Sequence, residues 1–170
     1  ATEGSFRNSG QRCTAVKRLL VEEAVLDEFT ARFVAKAGEF TVGDPADEAT
    51  RIGTVIDEPA AIELEERVNK AVAAGAEVLL GGNRNGAQLE PTIIANVPRD
   101  TEMVCEESFG PLAPIMPVRD LDDAIALANS SDFGLSSGVV TNDMAAAIRV
   151  VKELKTGAVN VNQVPGFRME

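Results

Sequence analysis

The sequence has no histidine and only two cysteines, Cys13 and Cys105, among 170 residues. Cys-His and Ser-His hydrolases need an imidazole base, and most zinc sites need histidine or several thiolates, so the sequence argues against both classes and no metal site is expected. No apolar run approaches the ~20 residues that span a bilayer. The first residues, Ala1-Thr2-Glu3-Gly4, lack the basic end and apolar body of a secretion signal. Basic residues are in deficit, 16 against 27 acidic ones, and the net charge of −11 repels nucleic acid and anionic membrane surfaces. Two thiols allow one disulfide by arithmetic, but a domain of this size does not need it and the cytosol keeps both reduced. The expectation is a cytoplasmic protein with neither a nucleic-acid nor a membrane partner.

With 45% hydrophobic residues, the chain is long enough for one domain with a real core. Strand signals fall at 18–21, 77–80, 92–95, 138–140 and 158–162. A further strand is expected at 114–118, where Pro114 and Pro117 argue for a strand end or an edge. Helices are expected over 23–37 (inward Val25, Phe29, Phe33), 58–74 (Ala61, Leu64, Val68, Val72), a short stretch after the N-cap Asp120 (Leu121, Ile125, Ala128), and 142–154 (Met144, Ile148, Val151), the last closed by Gly157. Strands alternating with helices imply an α/β fold with a doubly wound, mostly parallel sheet covered on both faces. No G-x-G-x-x-G follows a strand, so the domain is not itself an evident dinucleotide binder.

Chemistry concentrates in Asn8-Ser9-Gly10-Gln11-Arg12-Cys13-Thr14-Ala15. A thiol reacts as its thiolate, which an adjacent cation such as Arg12 favours. Gly4 and Gly10 let the backbone bend close to a substrate. The alternative on composition alone is a small apolar cysteine packed under a helix. Cys105 has neither a cation nor a glycine bend beside it and reads as a buried spacer; Lys17 and Arg18 read as a helix-end or surface pair.

The segment Glu3 to Ala15, with Phe6, Asn8, Gly10, Gln11 and Cys13, resembles the catalytic-cysteine segment F-x-N-x-G-Q-x-C of the aldehyde dehydrogenase superfamily. Glu106-Glu107-Ser108-Phe109-Gly110-Pro111 is similar to the same family's E-E-x-F-G-P stretch, and Leu89-Glu90-Pro91-Thr92 adds to the likeness. The resemblance implies that Cys13 adds to an aldehyde to give a thiohemiacetal. Oxidation by NAD or NADP then gives a thioester that water cleaves. It makes Glu107 the carboxylate that accepts from the cofactor ribose and Phe109 a support for its nicotinamide ring. It also implies that residues 1–170 are the cysteine-bearing catalytic domain alone. The dinucleotide-binding domain, the base glutamate and the C-terminal oligomerisation segment would lie outside them, the fragment would be inactive by itself, and the intact protein would be a homodimer or homotetramer.

Arg12 points to an anionic group on the aldehyde, because a guanidinium holds phosphate, phosphonate or carboxylate through paired hydrogen bonds. Gly10 to Arg18 resembles the branch acting on phosphorylated or phosphonate-bearing aldehydes. Asn162 to Arg168 is most similar to phosphonoacetaldehyde dehydrogenases, with non-phosphorylating glyceraldehyde-3-phosphate and lactaldehyde dehydrogenases as competitors. In this reading Phe167 and Arg168 line the substrate entrance. Two alternatives stand beside it: a CoA-acylating relative, and a non-catalytic α/β scaffold with a structural cysteine.

Overall fold

A computed structural model describes residues 1–166. In chain order its elements are α1 (Thr2–Phe6), β1 (Leu19–Glu22), α2 (Leu26–Ala37), α3 (Glu58–Ala73), β2 (Glu77–Leu80), β3 (Arg84–Asn85), β4 (Gln88–Leu89), β5 (Thr92–Ala95), α4 (Glu102–Cys105), β6 (Leu112–Val118), α5 (Leu121–Ala128), β7 (Ser136–Val139), α6 (Met144–Glu153) and β8 (Ala158–Val161). The main sheet has the order β1-β6-β5-β2, with β1, β6 and β5 parallel and β2 antiparallel to β5. Strands β3 and β4 make a small hairpin, and β7 and β8 form a separate parallel pair.

Alternation along the strands explains why helices cover both faces. In β6, Leu112, Met116 and Val118 enter a core with Leu64, Val68 and Ala71 of α3 and Met103 and Val104 of α4. Ala113 and Ile115 enter the opposite core with Phe6 of α1 and Phe33 and Ala37 of α2. A period of two sends successive side chains to opposite faces, so a strand covered on both sides becomes apolar throughout. The mixed α/β fold with a mostly parallel sheet is therefore as expected.

Asp57, Asp120 and Asp143 each accept a backbone N–H at a helix start, from Ala60 at 2.9 Å, Asp123 at 2.8 Å and Ala145 at 2.7 Å. Caps of this kind stabilise by about 1 kcal/mol each.

Several local expectations need correction. Strand β6 is central and not an edge: Pro114 pairs with Ile94 and Pro117 with Val21. Each proline forfeits one donor, and burial of the strand on both faces offsets the loss. The helix expected from Glu23 begins with a short 3-10 turn, Glu23–Val25, which leaves Val25 exposed and makes Leu26, Phe29, Phe33 and Ala37 the packed stripe. In α3 the last inward position is Ala71, not Val72. In α5 it is Leu127 that is buried beside Ile125, while Leu121 and Ala128 are half-buried. Helix α6 presents the opposite face: Met144, Ile148 and Val151 are 74%, 48% and 52% exposed, while Ala147 and Val150 are buried. Gly157 does not cap α6, which ends at Glu153; its N–H donates to the Gly134 carbonyl at 2.8 Å.

Candidate functional site

The cysteine loop is shaped by three consecutive left-handed residues, Asn8 (φ 57°), Ser9 (φ 52°) and Gly10 (φ 68°). Left-handed backbone costs a non-glycine residue about 1–2 kcal/mol, and local bonds offset it here. The Asn8 side chain donates to the Gln11 carbonyl at 3.2 Å, and Ser9 Oγ donates to the Gly53 carbonyl at 3.4 Å. The Gln11 amide donates to the Thr54 carbonyl at 3.3 Å, and the Val16 N–H to the Gly4 carbonyl at 3.0 Å. This frame leaves Cys13 exposed on the turn that follows. Among the described residues its backbone N–H has no acceptor, so it is free to donate to a developing oxyanion.

The second motif packs directly against that loop. A Cβ added to Gly10 would lie 2.1 Å from the Gly110 carbonyl oxygen, so only glycine permits this approach of backbone to backbone. Phe109, immediately before, is also left-handed (φ 46°) and 47% exposed. Gln11, Leu64, Glu107 and Phe109 line one cleft of ≈ 230 Å³, joined by Ile56, Ala60, Glu63 and Ser108. Cysteine loop and acidic loop thus share a wall.

Two cations hold the acidic loop. Arg67 of α3, 8% exposed, donates through Nη1 to the Glu107 carbonyl oxygen at 3.2 Å and pairs with Glu63, Glu102 and Glu106 at 2.9, 3.1 and 3.5 Å. On the other side, the Lys17 ammonium lies 3.4 Å from Glu107 Oε1, 3.3 Å from the Gly10 carbonyl oxygen and 5.0 Å from the centre of the Phe109 ring. Burial pushes Lys17 below the ordinary lysine range, and Glu107 pulls it partly back.

The structure brings Cys13, Arg12, Glu107 and Phe109 to adjoining loops, while Phe167 and Arg168 lie outside the described residues. Arg12 is half-buried, and its Nη2 donates to the Gly4 and Glu3 carbonyl oxygens at 3.2 and 3.5 Å. Its Nε is buried without a partner among the described residues. Lys17 is not a surface residue, as the sequence suggests, but a bridge between loops. Arg18 caps the end of α5 from β1's side, donating to the Leu127 and Ala128 carbonyls at 3.0 Å each. Cys105 is exposed, not a buried spacer, because α4 ends on it and turns it outward. The sequence reading missed Lys17 and Arg67; their one signal was position, Lys17 four residues after Cys13 and Arg67 midway along the helix facing the acidic motif.

A sequence profile of the aldehyde dehydrogenase family matches residues 1–170 in full. The chain belongs to the aldehyde dehydrogenase family. It is 37% identical over 170 residues to a lactaldehyde dehydrogenase of Methanococcus maripaludis, covering all of this chain and 36% of that protein. It is 37% identical over 169 residues to the 3-sulfolactaldehyde dehydrogenase of Priestia megaterium, covering 99% of this chain and 35% of that one. Glyceraldehyde-3-phosphate dehydrogenase of Methanocaldococcus jannaschii, solved in complex with NADP, superposes with a TM-score of 0.94 at 38% identity, covering 98% of this chain and 36% of that one. The chain therefore spans about a third of the length of these aldehyde dehydrogenases.

The residues present fit one end of a nicotinamide dinucleotide. The Glu107 side chain is 44% exposed, so its carboxylate keeps accepting capacity for a diol beside the Lys17 contact on Oε1, and the half-exposed Phe109 ring and Leu64 supply apolar wall beside it. An ionised carboxylate accepts hydrogen bonds and donates none, which matches a ribose diol and not a phosphate.

Proposed function

We propose that these 170 residues are the cysteine-bearing catalytic domain of a longer aldehyde dehydrogenase that oxidises a small anionic aldehyde to its carboxylate with NAD or NADP. The observation that carries the reading is the apposition of the Cys13 loop and the Glu107-Phe109 loop through Gly10 and Gly110. A nucleophile and a cofactor carboxylate must share a wall if both are to meet one aldehyde carbon.

In this reading the Cys13 thiolate attacks the carbonyl carbon and the Cys13 N–H donates to the oxygen that becomes negative. The Glu107 carboxylate orients the cofactor ribose, and Phe109 shields the ring's edge from water. Bound NAD(P) supplies the hydride acceptor. Arg12 contacts the distal anion: the Glu3 and Gly4 carbonyls hold its guanidinium next to Cys13, and Nη1 has no partner among the described residues. The names of relatives carry anionic aldehydes, 3-sulfolactaldehyde and glyceraldehyde-3-phosphate, and a neutral one, lactaldehyde; they support a short chain, and the anionic group rests on Arg12. The sequence likeness of 162–168 is what favours phosphonoacetaldehyde; the relatives named above carry other aldehydes and fit the lactaldehyde and glyceraldehyde-3-phosphate alternatives instead.

The test is steady-state kinetics of the intact enzyme on phosphonoacetaldehyde, glyceraldehyde-3-phosphate, 3-sulfolactaldehyde, lactaldehyde and a neutral aldehyde of similar length, in wild type and Arg12→Ala. The reading expects kcat/KM for the three anionic aldehydes to fall by about tenfold or more, the order of a lost charge-assisted hydrogen bond, with lactaldehyde, which carries no charge, and the other neutral aldehyde spared. An equal loss for all, or none, removes Arg12 from substrate recognition.

A further inference from the structure

We propose that Lys17 is a positioning residue that sets the Glu107 carboxylate and the Phe109 ring against the cysteine loop, an inference that rests on the reading of Glu107 as the cofactor carboxylate.

One ammonium touches both motifs. It donates to the Gly10 carbonyl at 3.3 Å in the cysteine loop, approaches Glu107 Oε1 at 3.4 Å in the acidic loop, and lies 5.0 Å from the centre of the Phe109 ring. An ammonium has three donors and no acceptor, so two oxygens and a ring face are partners it can hold together. Its side chain is only 13% exposed, which leaves little water to replace these contacts. Coulomb attraction also gains strength where water is excluded.

The division of labour with Arg67 makes the role specific. Arg67 fixes the backbone of the acidic loop through the Glu107 carbonyl oxygen and neutralises Glu63, Glu102 and Glu106. It does not reach the Glu107 carboxylate, whose one ion pair among the described residues is with Lys17. Removing Lys17 therefore frees the carboxylate and the ring while the backbone stays tethered. The far end of the bridge is equally fixed, because Gly10 is wedged against Gly110.

The experiment compares Lys17→Met, Lys17→Arg, Glu107→Gln and the Lys17→Met/Glu107→Gln pair in the intact enzyme. It measures equilibrium NAD and NADP binding, the KM of cofactor and aldehyde, and amide exchange at 106–110 in the cofactor-free protein. Lys17→Met is expected to weaken cofactor binding by about tenfold, the order of a lost charge-assisted hydrogen bond. Aldehyde KM should hold, exchange at 106–110 should rise, Lys17→Arg should restore most of the binding, and the double variant should bind no worse than Glu107→Gln. Unchanged cofactor binding in Lys17→Met while Glu107→Gln weakens it overturns the positioning role and leaves the reading of Glu107 intact. Unchanged binding in Glu107→Gln overturns both. If Lys17→Met fails to fold, Lys17→Gln takes its place, and weakening there without a rise in 106–110 exchange also overturns the role.

Discussion

Gly10 and Gly110 meet backbone to backbone, with room for no side chain at Gly10: a Cβ there would stand 2.1 Å from the Gly110 carbonyl oxygen. Gly10 is also left-handed at φ 68°. Gly10→Ala should therefore cost more than the ~1–2 kcal/mol of left-handed strain alone, as read by chemical denaturation of the chain. A loss below 1 kcal/mol would mean that the two loops are not locked together.

The Asp123 carboxylate is gripped by Arg99 through both oxygens, at 2.9 and 3.0 Å, and by the Arg119 N–H at 3.2 Å. These bonds, led by Arg99, hold it well below the usual carboxylate range. Because its folded value is depressed, its stabilisation is complete above the ordinary value of about 4 and is lost as pH falls below it. Asp123→Asn should lower stability at pH 7 and flatten the acid limb of the stability profile. Parallel acid limbs for the two proteins would contradict the linkage.

In α6 the exposed and buried faces make opposite demands. Ile148→Ser should change stability by under about 0.5 kcal/mol, as surface substitutions do. Val150→Ala should cost about 1.5 kcal/mol for two buried methyl groups. Equal losses in thermal unfolding would show that Met144, Ile148 and Val151 pack inward after all.

That helix shows where the sequence stops being legible. Met144, Ile148 and Val151 form one helical stripe and Ala147 and Val150 another, so periodicity identifies a helix without saying which face meets the sheet. Strand β6 fails differently: two prolines suggest an edge, and only pairing on both sides shows that burial outweighs the lost donors. The mixed α/β class was legible because alternation of strand and helix signals is independent of such details. The motifs single out Cys13, Glu107 and Phe109 as candidate site residues. The Lys17 bridge was not legible, because nothing local ties a lysine to a glutamate ninety residues away; the parallel pairing of β1 with β6 brings their loops together. Cys105 was misplaced because a short helix can end on any residue it turns outward.

The charge on Lys17 gives a pH signature. Burial lowers its affinity for the proton, Glu107 opposes that, Arg12 adds to it and Cys13 opposes it. Lys17 should then lose its proton at lower pH than the ordinary lysine value of about 10.4. Cofactor KM of the intact enzyme should climb on the alkaline side below that value, and this rise should be missing in Lys17→Met. A rise of the same size in both proteins would assign it to another group.

The most direct test of the central claim is the activity of the intact enzyme with Cys13→Ser beside Cys105→Ser. If Cys13 is the nucleophile, Cys13→Ser should lose about 10³-fold or more in kcat, the scale on which loss of a covalent nucleophile is felt, and Cys105→Ser should match wild type. Substantial turnover by Cys13→Ser would contradict the account and leave Cys13 as a structural thiol on an exposed turn.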